Sequence, residues 1–82
     1  MYLKVINVEP LEDYQLVITF ENSEKRMFDM KPYLDKGVFK ELKDKRLFNT
    51  VRVSFDSIEW ENEADFDPEA LYELGVPVKK YA

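Results

Sequence analysis

An α+β fold, a small mostly antiparallel sheet of about five strands with one or two short helices packed against it, is what this 82-residue sequence predicts. Three observations carry that prediction. Residues 3–30 and 50–60 alternate apolar and polar side chains with a period of two. Polar clusters at Glu21-Asn22-Ser23-Glu24 and Asp56-Ser57 punctuate the alternation as turns. The spacing of Val38, Phe39 and Leu42, and the pair Asp67-Pro68, break it where helical turns begin.

A first strand around LKVINV leads into the clearest one, in which Tyr14, Leu16, Ile18 and Phe20 share a face and Gln15, Val17, Thr19 and Glu21 share the other. That division predicts a half-buried strand with its aromatic and aliphatic row against the core. Asn22 is the turn residue best suited to positive φ, and the return strand carries Arg26, Phe28 and Met30 on one side. Asp29 falls on the opposite side, in a structural hydrogen bond or ion pair. Pro32 suits the opening of a short helical turn, since its missing N–H is no loss there, and Gly37 closes it in the left-handed conformation. Leu47 and Phe48 extend the apolar contact of Val38, Phe39 and Leu42. From Thr50 the period of two returns, with Val51, Val53 and Phe55 inward, a turn at Asp56-Ser57, and Ile58 and Trp60 inward again.

Composition narrows the function. The chain reads as one domain, 1–82, with 76–82 as a flexible tail. A chain this short buries roughly 60–65% of its unfolded surface, so one modest core is expected. With 45% hydrophobic residues, among them one tryptophan, five tyrosines and six phenylalanines, it belongs with globular proteins. It has no cysteine and no histidine, which removes disulfides, thiolate nucleophiles, imidazole relays and the common zinc sites. Two glycines, far apart, make no phosphate-cradling loop. No catalytic residue and no cofactor is expected.

The N-terminal residues lack a signal-like apolar run and no stretch approaches the ~20 residues of a membrane span, so a soluble cytoplasmic protein is expected. A net charge of −5 repels nucleic acid and anionic lipid and favours a basic partner. Lys36, Lys40, Lys43, Lys45 and Arg46 concentrate positive charge, but Glu41 and Asp44 interrupt it, as on a solvated helix face.

The stretch IEWENEADFDPEALYELG raises the question of a site. Glu59, Glu61, Glu63, Asp65 and Asp67 stand at odd positions and alternate with Trp60, Asn62, Ala64 and Phe66. In extended chain this puts the acids on one face and the rings on the other, with Asn62 serving a bend. Asp67 is an N-cap ahead of Pro68 at the first helical position, Phe66 and Leu71 occupy the two positions of a hydrophobic staple, and Gly75 stops the helix. The spacing is not that of a calcium loop. A solvated face is the expectation, and a divalent-cation site at Glu61, Glu63 and Asp65 the alternative. Trp60 is read as core, with its N–H hydrogen-bonded.

The segments VEPLEDYQLVITFENSEKRMFDM and VRVSFDSIEWENEADFDPEALYE, with Leu34, Gly37, Phe39, Leu42, Asp44 and Phe48 between them, resemble the bacterial domain-of-unknown-function family 2442 from Leu3 to Tyr72. The most specific part joins Trp60, Asn62, Asp65, Pro68, Leu71 and Tyr72, with Pro10-Leu11 and Tyr14 in support. Ser23 and Glu63 stand where relatives usually place glycine in turns. The resemblance implies a small α+β fold with no established activity, often encoded beside a second small protein in an antitoxin-like arrangement. It makes Trp60, Asn62, Asp65, Asp67, Pro68 and Leu71 a structural signature rather than a catalytic set. The expected function is therefore a non-enzymatic interaction module for a small, basic protein, or for a second copy through exposed strand edges. A carboxylate-based metal protein or enzyme is the alternative, and an accessory domain of a transcriptional regulator acting through the basic helix is the third.

Overall fold

The computed structural model describes residues 2–78. Its elements run β1 (Val5–Leu11), β2 (Gln15–Phe20), β3 (Lys25–Asp29), α1 (Lys45–Phe48), β4 (Arg52–Ser54), β5 (Ser57–Glu59), β6 (Asp65–Phe66), α2 (Pro68–Leu74) and β7 (Val76–Pro77). Three 3-10 turns, Glu12–Tyr14, Lys31–Tyr33 and Gly37–Lys43, complete the order. The α+β class follows the alternation, but the strands divide between two antiparallel sheets, β1-β2-β3-β7 and β4-β5-β6.

β2 is the centre of the larger sheet, and its period of two is realised fully: Leu16, Ile18 and Phe20 are 0% exposed. Leu16 pairs with Phe28 of β3, and Ile18 with Val8 of β1, so the inner face is apolar except where Arg26 of β3 stands opposite Ile18. Burying each such side chain contributes about 1.5–3 kcal/mol. The opposite face carries the row Glu9, Val17, Met27 and Val76. Asp29 accepts the Lys31 N–H at 3.0 Å and its carboxylate meets Lys31 Nζ at 3.4 Å, the structural role its position predicted. A second carboxylate, Asp13, meets the same Nζ at 2.9 Å, and this bond is the main reason the Lys31 pKa lies above the ordinary lysine value.

Two turn assignments change. In the β2–β3 hairpin it is Ser23, at φ 70°, that takes the left-handed conformation, while Asn22 Oδ1 accepts the Glu24 N–H at 3.0 Å. In the β4–β5 hairpin the two central residues are Phe55 and Asp56, at φ 48° and 67°, not Asp56 and Ser57. Phe55, read as inward, is 97% exposed, because it occupies the turn and not the strand; Val53, the middle residue of β4, is 39% exposed. Gly37, at φ 50°, is left-handed as expected, although it opens the third 3-10 turn as well as ending the preceding loop.

Residues 76–78 of the expected tail are held against β3. Val76 and Pro77 pair with Met27 and Arg26, and the Val78 N–H donates to the Lys25 carbonyl at 3.0 Å. Residues 79–82 lie outside the described residues. Arg26 secures this end: its guanidinium donates to the Tyr72 carbonyl at 2.8 Å and the Gly75 carbonyl at 3.2 Å, lies 3.9 Å from the Tyr72 ring centroid, and pairs with Glu24. It thereby satisfies carbonyls that the end of α2 leaves free. Gly75 is required by proximity, since a Cβ there would stand 2.6 Å from the Leu71 carbonyl oxygen. Both edge strands of the larger sheet contain a proline, Pro10 in β1 and Pro77 in β7. Neither offers an N–H to an incoming strand.

Candidate interaction surfaces

The acidic stretch folds around Trp60, which is 0% exposed. Its indole N–H donates to the Phe48 carbonyl at 2.9 Å, satisfying an acceptor at the end of α1, and its ring lies between Phe39 and Phe48 at centroid distances of 6.3 and 6.2 Å. The chain then reverses. Glu63 N–H donates to the Trp60 carbonyl at 2.9 Å, Trp60 N–H to the Ala64 carbonyl at 2.8 Å, and Ala64 N–H to Asn62 Oδ1 at 3.1 Å. Asn62 is thus the bend residue, and its amide also reaches Glu41 at 2.8 Å, tying the turn to the third 3-10 segment. Asp67 caps α2 by accepting the Glu69 N–H at 3.1 Å; Pro68 is the first helical residue, and Leu71 is 0% exposed.

The three carboxylates considered as a cation site do not converge on this frame. Glu61, Glu63 and Asp65 are all exposed: Glu61 and Glu63 belong to the turn, while Asp65 stands on β6 opposite Glu59 of β5. Among the described residues, no three acidic side chains gather as a metal ion would require. The basic stretch is likewise a solvated surface. Lys43 meets Asp35 at 2.7 Å, which holds the Asp35 carboxyl below its ordinary pKa, and Asp44 is occupied in capping α1 through the Arg46 N–H at 3.0 Å.

The structure adds two surfaces that the sequence reading did not single out. The first is an open groove of ≈ 780 Å³ between β3, β7 and the Lys31–Tyr33 turn, lined largely by Met27, Phe28, Tyr33, Leu74, Val76 and Val78. Leu74, Val76 and Val78 are 59%, 65% and 40% exposed, unusual for apolar residues clustered on so small a molecule. The second is the tip of the β4–β5 hairpin, where Phe55 borders a smaller hollow of ≈ 430 Å³ shared with Glu59, Asp65 and Asp67.

A family model described as a protein of unknown function, DUF2442, matches residues 5–77. The chain belongs to the DUF2442 family. The match runs from the first residue of β1 to the last of β7, so both sheets and both helices lie within the DUF2442 unit. No curated protein and no solved structure matches the chain. Ser23 and Glu63, where DUF2442 relatives were expected to carry glycine, adopt φ 70° and 71°, so both turns keep a left-handed residue without glycine. None of the described helices is long and apolar enough to cross a membrane.

Proposed function

We propose that this DUF2442 chain is a non-enzymatic, cytoplasmic protein-interaction module, the antitoxin-like member of a pair with a small basic protein encoded beside it. The observation that carries this reading is the apolar groove at the β3–β7 edge. Water contact with Leu74, Val76 and Val78 is unfavourable, and their surroundings offer an apolar partner segment a concave seat flanked by Tyr33 and Met27. The net charge of −5 favours encounter with a basic protein over nucleic acid or an acidic one. The prolines in both edge strands work against homodimerisation by sheet extension, so a partner engages a face and not an edge.

Co-expression with the adjacent gene product, followed by size-exclusion chromatography at low salt, tests the proposal. A stoichiometric complex that Val76→Asp disrupts while leaving the fold intact is the expected result. Separate elution of the two natural proteins would refute it.

A further inference from the structure

We propose that the tip of the β4–β5 hairpin is where the protein partner's basic character is read, with Phe55 as apolar anchor and Glu59 and Asp65 as contacts for a lysine- or arginine-bearing segment. This inference rests on the interaction reading above and names the chemistry of its partner. Two features of the free chain are unfavourable there. Phe55 is 97% exposed in a left-handed turn position, φ 48°, that asparagine or glycine fills with less strain. Glu59 and Asp65 are paired directly across β5 and β6, and like charges in that register repel.

The relief available locally is partial. Arg52 approaches Glu59 at 3.6 Å, while among the described residues Asp65 has neither an ion pair nor a side-chain hydrogen bond. Asp67, on the same hollow, is committed to capping α2. Among the described residues, no lysine or arginine lines that hollow. An incoming cationic side chain would lie between the two carboxylates and against the ring face, where ion pairing and cation–π attraction act together. Exposed aromatic residues in such settings dominate interface energetics.

The test places photo-reactive p-benzoylphenylalanine at position 55 or, separately, at position 76, in purified chain illuminated in lysate of its natural host. The expected adduct at position 55 joins one protein through a peptide bearing lysine or arginine. Its yield falls at least about tenfold at high salt or in the E59Q/D65N background. Unlabelled natural chain competes for it, and Phe55→Asn chain, which keeps the turn, does not. Adducts at position 76 without any at 55 overturn this inference and leave the interaction reading standing. Adducts at neither position remove both, and adducts at 55 to a second copy of the chain, or to peptides without basic residues, overturn this one.

Discussion

Replacing Trp60 with phenylalanine probes the claim that the most specific part of the acidic stretch is there to build the fold. The substitution removes the donor to the Phe48 carbonyl, leaving a buried acceptor unpaired at a cost of about 1–3 kcal/mol. It also empties the outer part of the indole's space against Phe39 and Phe48, and partial collapse around such a gap costs about another 1–2 kcal/mol. Together the loss is about 3 kcal/mol, which for a chain of this size lowers Tm by roughly 12–24 °C. Far-UV circular dichroism during heating and urea titration measures it, since tryptophan fluorescence is lost with the residue. A loss below about 1 kcal/mol would refute the reasoning, because neither the hydrogen bond nor the packing would then carry weight.

Other consequences follow from the same geometry. Arg26→Ala, which strips two helix-end carbonyls and the Tyr72 ring of their partner, is expected to cost about 2–3 kcal/mol in urea unfolding, with Arg26→Lys recovering little because lysine lacks the planar fork. Glu63→Gly relieves a left-handed residue whose N–H bond to Trp60 is retained, and is expected to raise stability by about 0.5 kcal/mol, whereas Gly37→Ala lowers it by about 1 kcal/mol. The Glu24 carboxyl is held below its ordinary pKa, first by the Tyr72 hydroxyl donating at 2.9 Å and then by Arg26. A depressed folded-state pKa means its stabilisation is present above the unfolded value and lost as pH falls through the folded one. Melting temperature is therefore expected to drop as pH falls below the ordinary glutamate range, and Glu24→Gln to flatten that dependence.

How much of this was legible in the sequence depends on whether each feature was local. Leu16, Ile18 and Phe20 announce β2 because a period of two over six residues leaves no competing helical reading. Asp67-Pro68 announces α2 because cap and first position are adjacent, and Trp60 with Asn62 announces a packed turn for the same reason. The β4–β5 turn was misplaced by one residue because phenylalanine gives no signal for positive φ; neighbours and register impose it. The docking of the two sheets on one another rests on contacts such as the Val5 N–H to the Asp56 carbonyl at 2.9 Å, which no local pattern encodes. The groove is invisible for a related reason: Met27, Tyr33 and Val76 come together only when β7, a two-residue strand, finds β3.

The measurement that bears most directly on function is an amide-resolved NMR titration of the labelled chain with the adjacent gene product. The account predicts stoichiometric shifts concentrated at residues 55–59, 65 and 74–78, with the Glu61–Glu63 turn unmoved. Silence throughout that titration, or shifts at Glu61, Glu63 and Asp65 when magnesium, calcium or manganese is added in its place, would contradict it.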